Sequence, residues 1–120
     1  MNRSEFVEQY NKIFERAMSS AEKARREGLL ALEDDLDHGE VNQRDIFQYG
    51  MSFVVDGVDP FFIDKILSNI IEQEKDEQMQ VLKKIQKEVV LMIQQGANPR
   101  LLAAVLNSFT DLPLSNNDAL

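Results

Sequence analysis

Apolar residues recur at intervals of three and four along almost the whole chain, and no run alternates in the two-residue rhythm of a half-buried strand. Val7, Tyr10, Phe14, Ala17, Ala21, Ala24 and Gly28 form a heptad-like stripe. It predicts a first helix starting near Asn2–Ser4 and running to about Leu36. The stripe changes character midway, from large residues to alanines and a glycine. Small side chains let another helix approach closely, so the second half of this helix is expected to lie tight against a neighbour. Larger residues at Ala21 or Ala24 should overpack that contact.

The acidic turn Asp34-Asp35-Leu36-Asp37-His38-Gly39-Glu40 ends this first helix, with Gly39 free to adopt a left-handed cap. Asn42, with Asp45 three residues on, resembles an N-cap pair for a second helix. The apolar face of that helix is Ile46, Phe47, Gly50, Phe53 and Val54, and Asp56-Gly57 stops it. Asp59-Pro60 then combines a side-chain acceptor at the cap with a proline at the first helical position. Phe62, Ile63, Ile66, Leu67, Ile70 and Ile71 follow at helical spacing. Glu72 to Gln78 is wholly polar, and the pattern resumes at Met79, Leu82, Ile85, Val89 and Met92. With no Gly or Pro in the polar stretch, one continuous helix is expected there. Gly96 ends it, and Asn98-Pro99 repeats the cap-then-proline device to open a last short helix reaching about Phe109. The pattern as a whole predicts an all-α fold, an elongated bundle of four to five helices. It also predicts one domain over residues 1–110, with a flexible C-terminal tail over 111–120.

Composition agrees with a single folded domain: 120 residues, 43% of them hydrophobic. The absence of cysteine excludes disulfides and thiolate metal sites. A net charge of −8 disfavours nucleic acid and anionic lipid as main partners. The longest apolar runs, Leu101–Leu106 and Val89–Ile93, fall far short of the ~20 residues needed to cross a bilayer. The N-terminus has no apolar run of secretory type, so a cytoplasmic location is expected.

The chemistry-bearing inventory is sparse. His38 in its acidic turn matches no EF-hand spacing and reads as a solvated turn. Asp56 and Asp59 could be paired carboxylates, but their neighbours make them a turn-closing residue and a helix cap. The convergent groups of a reaction centre are not evident, so the chain reads as a non-enzyme with no cofactor or metal. Phe61-Phe62 stays open: adjacent helical positions point about 100° apart, and an exposed Phe61 marks an interface where a buried one is a core pair. On the first helix Lys23, Arg25 and Arg26 precede Glu27 and then Glu33, Asp34 and Asp35. On one straight helix Arg25 and Glu33 lie about 12 Å apart on one side.

The stretch Ala24-Arg25-Arg26-Glu27-Gly28-Leu29-Leu30-Ala31-Leu32-Glu33 has the form A-R-x-x-G-L-x-x-L-E. Val54-Val55-Asp56-Gly57-Val58-Asp59-Pro60 has the form V-x-D-G-x-D-P. Together they resemble the cytoplasmic region of MotA, the flagellar stator subunit of the MotA/TolQ/ExbB proton channel family. The resemblance covers roughly residues 20 to 95. Members of that family carry four membrane helices, and Phe6 to Met18 stands where the second would be, yet contains Glu8, Lys12, Glu15 and Arg16. Gly96-Ala97-Asn98-Pro99 resembles the approach to the third, but Arg100 and Asn107 follow. A soluble paralogue without a channel is therefore expected.

The resemblance implies that Arg25 and Glu33 engage the rotor protein FliG, with Lys23, Arg26 and Asp34 completing a partner-binding block. It implies a non-enzymatic protein of motility and chemotaxis, peripheral to the inner membrane at the flagellar motor, that binds FliG or MotA-type stator subunits. The alternative is a stator assembly chaperone or adaptor, or a homodimeric scaffold, acting through the apolar stripe of the first helix.

Overall fold

The computed structural model describes residues 1–37 and 45–111. Five α-helices and one 3₁₀ segment make up the described secondary structure: α1 (Arg3–Glu27), the 3₁₀ segment (Leu29–Asp35), α2 (Ile46–Val55), α3 (Pro60–Glu72), α4 (Glu77–Gln94) and α5 (Pro99–Asn107). The expected all-α class is observed. The expected elongation is not, because the molecule measures 36 × 34 × 25 Å with a radius of gyration of 13.8 Å. A compact domain of this length has a radius of about 13.6 Å.

Two breaks that the apolar pattern does not announce account for the difference. The first falls at Gly28, eight residues before the end expected near Leu36, and is described with the site below. The second separates α3 from α4. Asp76 is the N-cap of α4, its side chain accepting from the Met79 N–H at 2.9 Å. Glu74 accepts from the Asp76 N–H at 3.1 Å and pairs with Lys83 at 2.8 Å. The Gln80 amide donates back to the Ile71 and Glu74 carbonyls at the end of α3, at 3.2 and 3.4 Å. Side-chain hydrogen bonds thus turn the chain without Gly or Pro, and α3 folds back on α4 as a hairpin.

The caps read at Asp59 and Asn98 hold, while α2 is capped by Asp45 itself, where the sequence suggests an Asn42–Asp45 pair. The side chains of Asp45, Asp59 and Asn98 accept from Gln48, Phe61 and Leu101 N–H groups at 3.1, 2.8 and 2.8 Å. Gly57 and Gly96 have positive φ just past the ends of α2 and α4. His38, Gly39, Glu40 and Asn42, and the tail from Leu112 onward, lie outside the described residues.

Helix α4 is the axis of the fold, and α1, α2, α3 and α5 all pack on it. Its Leu82, Ile85, Val89, Val90 and Ile93 are buried against Tyr10, Phe14, Ala17 and Ala21 of α1, Ile46, Met51 and Val54 of α2, Ile63 and Leu67 of α3, and Leu102 and Leu106 of α5. The α1 stripe is therefore core, with Tyr10, Phe14, Ala17 and Ala21 almost inaccessible. Ala21 and Ala24 both border a cavity of about 80 Å³ shared with Ile93 and Ala97, Ala21 buried and Ala24 half-buried, so the contact is looser there than the small-residue stripe predicts. Phe62, placed on the apolar face of α3 by spacing, is in fact exposed, and Ile63, Leu67 and Ile71 carry the burial.

Tyr10 ties α1 to the end of α5 by donating to Asn107 Oδ1 at 2.6 Å, and burial pushes its hydroxyl up to about 12. Gly50 is where α2 and α4 come closest. A Cβ there would meet both γ-carbons of Val90 at 2.9 Å and Leu67 Cδ1 at 3.0 Å.

Gly50→Val is expected to destabilise the fold by about 2–3 kcal/mol through overpacking against a stiff β-branched neighbour, measured by urea denaturation. Lys87 holds the Asp64 carboxylate, and Lys83 the Glu74 carboxylate, below their ordinary range. Both depressed groups favour the folded state once ionised, so stability should be constant above about pH 5 and fall as acid protonates them below their ordinary values. Thermal melts from pH 6 to pH 3 check this, and Lys87→Met should flatten the decline.

Candidate functional site

The charged block is built around a corner. At Gly28 the backbone takes φ 92° and ψ 161°, a region that is essentially glycine-only, while its N–H still closes α1 by donating to Ala24 O at 2.8 Å. No residue with a Cβ continues a helix from there. The chain reverses into the 3₁₀ segment, whose Leu32 is buried in the common core. Glycine here is a breaker, where the stripe had made it a small packing residue. The run Leu29, Leu30 and Leu32 after it keeps the apolar rhythm that suggested a continuing helix.

Three contacts hold the segment in place. Lys23 Nζ reaches Asp35 Oδ1 at 3.1 Å, joining the last turns of α1 to the far end of the segment. The Gln48 side chain of α2 accepts from the Asp37 N–H at 3.1 Å and donates to the Asp35 carbonyl at 3.3 Å. Leu36 N–H closes the final turn on Glu33 O at 3.1 Å. Asp35, read from the sequence only as one of the acids that follow the basic run, and Gln48, not singled out there, are thus part of the corner. Gln48 had no sequence signal beyond its place in the first turn of α2.

This geometry changes how the five site residues relate. Arg25 and Glu33 do not sit on one straight helix, so the 12 Å axial separation does not apply. Instead the segment lies back along α1, and the acids are returned toward the basic last turn. Arg25, Arg26, Glu33 and Asp34 are exposed. Arg25 has no carboxylate partner among the described residues, and its side chain edges the small cavity that also takes in Ala24 and Gln94. Arg26 meets only its neighbour Glu27, at 3.4 Å, an exposed pair of little energetic weight. Lys23 differs. Its side chain is 24% exposed and its charge is engaged by Asp35, so it clamps the corner while the other four face outward. Leu30, at 70% exposure, adds an apolar contact point among those charges.

The second block serves structure. Val54 is buried, Asp56 ends α2, Asp59 caps α3, and the Val58 carbonyl accepts from Gln94 Nε2 at 2.7 Å. The two aspartates are accounted for by these turns. The cavity at the corner, at about 80 Å³, is well below the several hundred Å³ of a small-molecule site. Among the described residues no group of three or more His, Asp or Glu side chains is placed to share a metal ion, and no helix is long and apolar enough to cross a membrane. The corner presents exposed charges and only a small cavity, a surface suited to contact with a macromolecule.

Comparison with protein-family models, with curated proteins and with solved structures finds no match to the chain. The resemblance to the stator region rests on the residues of the two blocks themselves.

Gly28→Ala is expected to cost about 1–3 kcal/mol, against the usual gain from replacing glycine in a helix, because the corner requires a conformation that alanine resists. Urea denaturation with helicity followed by circular dichroism checks both the sign and the size.

Proposed function

We propose that this chain is a non-enzymatic protein of the flagellar motor that binds the rotor protein FliG or MotA-type stator subunits and thereby influences motility. In this reading it acts at the cytoplasmic side of the motor, peripheral to the inner membrane. The observation that carries the proposal is the charged block at residues 24–33. It has the form of the stator motif, and its Arg25, Arg26, Glu33 and Asp34 face solvent from a corner fixed by Gly28, Leu32 and the Lys23–Asp35 pair. Opposite charges held on one rigid corner favour a partner whose charges alternate in the same way, and such contacts speed encounter and fix register more than they add affinity. The adaptor and homodimer readings needed the apolar stripe of α1 as a free surface. That stripe is occupied by the protein's own core, so the charged corner is the better-supported contact.

Reversing both charges, Arg25→Asp with Glu33→Lys, should weaken binding to purified FliG or stator cytoplasmic region at least about tenfold, ~1.4 kcal/mol. The melting transition should be unchanged, since neither side chain is buried. Isothermal titration calorimetry reads this directly. Undiminished binding by the double variant would move the contact off this corner.

A further inference from the structure

Away from the corner, positive side chains gather around one hollow. Gln9, Lys12, Ile13 and Arg16 share a face of α1 and stand across from Met79, Lys83 and Gln86 of α4. Each set spans two helical turns, about 10 Å. Asp45 and Phe47, at the start of α2, complete the lining of a space of about 280 Å³. Three of the chain's 13 Lys and Arg residues line it, against one of its 21 Asp and Glu residues, although the net charge is −8.

The three cations are committed to different degrees. Lys83 is held by Glu74 at 2.8 Å, with both side chains largely shielded from water. Lys12 meets Glu8 at 3.4 Å in an exposed pair of little energetic weight, so its ammonium is available. Arg16 makes no ion pair with a described residue. Its Cζ sits over the Phe47 ring, 4.1 Å from the centroid. A ring contact of this kind fixes the guanidinium without using its N–H donors.

The rest of the lining supports that group. Phe47 is buried, and its N–H donates to Gln86 Oε1 at 3.3 Å, which leaves the Gln86 amide nitrogen as a further donor. Asp45, the one acid, is occupied in capping α2, its Oδ1 accepting from the Gln48 N–H at 3.1 Å. Ile13 and Met79 are half-buried and give the hollow an apolar side. Two available cations thus face one carboxylate that is already hydrogen-bonded. The unused donors call for an acceptor-rich, negatively charged ligand. The volume, just under that of typical small-molecule sites, keeps the ligand small.

We propose that this hollow binds a small organic anion, a carboxylate or phosphate group carried on a short apolar body. The fork of Arg16 takes two oxygens of the anion, as a planar guanidinium does with either group. Lys12 supplies the second charge, and the apolar body rests against Ile13 and Met79. The site is separate from the α1 corner and does not depend on the motor reading.

The test titrates the full isotope-labelled chain with phenyl phosphate and benzoate, and with inorganic phosphate and benzyl alcohol as probes of each half alone. At least one aryl anion should bind saturably, with amide shifts centred on Ile13, Phe47 and Met79. It should bind at least tenfold more tightly than inorganic phosphate or benzyl alcohol. Arg16→Gln with Lys12→Gln should weaken that binding at least tenfold in a chain whose spectrum is otherwise that of the folded protein, since both side chains are exposed. Arg16→Lys, which keeps the charge and loses the fork, should also weaken it. Arg25→Asp/Glu33→Lys should leave it unchanged. Absence of saturable binding, equal binding of benzyl alcohol or of inorganic phosphate, or shifts centred on another face would overturn the proposal. So would undiminished binding by the Arg16→Gln/Lys12→Gln variant.

Discussion

Helix α4 carries buried side chains at Leu82, Ile85, Val89, Val90 and Ile93, the first and last of them three turns apart, and a helix apolar over so much of its surface has to be enclosed. Each of those side chains contributes roughly 1.5–3 kcal/mol when removed from water, so the arrangement that covers them all is strongly favoured. Four other helices supply the cover, since a single helix can cover only one side of α4. The requirement explains why the chain bends where it does. The turn at 73–76 lays α3 along α4, the turn at Gly96 brings α5 back, and α1 crosses with a face of alanines where a bulkier stripe would stand off.

The same requirement explains which features were legible in the amino-acid sequence. Helix starts at Asp45, Asp59-Pro60 and Asn98-Pro99 announce themselves, because a short polar side chain before a helical run satisfies backbone donors that nothing else can reach. Stops at Gly57 and Gly96 are similarly plain. The break at Gly28 was hidden by its surroundings. Glycine fits a small-residue stripe as well as it fits a corner, and the leucines beyond it keep helical spacing although their burial comes from a folded-back 3₁₀ segment. The break before α4 was hidden for the opposite reason. Asp76 carries the cap signal, but it stands among Glu72, Glu74, Lys75 and Glu77, where one more acid looks like part of a solvated helical face. Missing those two turns is what makes a compact domain read as an elongated one.

The charged block is plain in the sequence, but its geometry is not. Arg25, Arg26, Glu33 and Asp34 are exposed as a binding block requires, but the corner at Gly28 is what sets their relation to one another. Lys23 looked equivalent to its basic neighbours, and only its reach across to Asp35 separates a residue that builds the surface from those that present it. Phe61 and Phe62 were undecided between core and interface, since both fates obey the same spacing. Their exposure follows from geometry: Ile63, Leu67 and Ile71 already fill the side of α3 that faces α4, and among the described residues no other helix covers the two rings.

A fold organised by the enclosure of α4 carries a charged corner that we propose contacts the flagellar motor. A photo-crosslinking amino acid in place of Asp34, introduced into the full chain in the flagellated source cell, tests that joint claim most directly. Position 34 faces solvent beside Glu33 and bears none of the contacts that hold the corner together. A crosslink to FliG or to a stator subunit, lost when Arg25 and Glu33 are reversed, is the expected result. Crosslinks confined to proteins outside the motor would contradict the account.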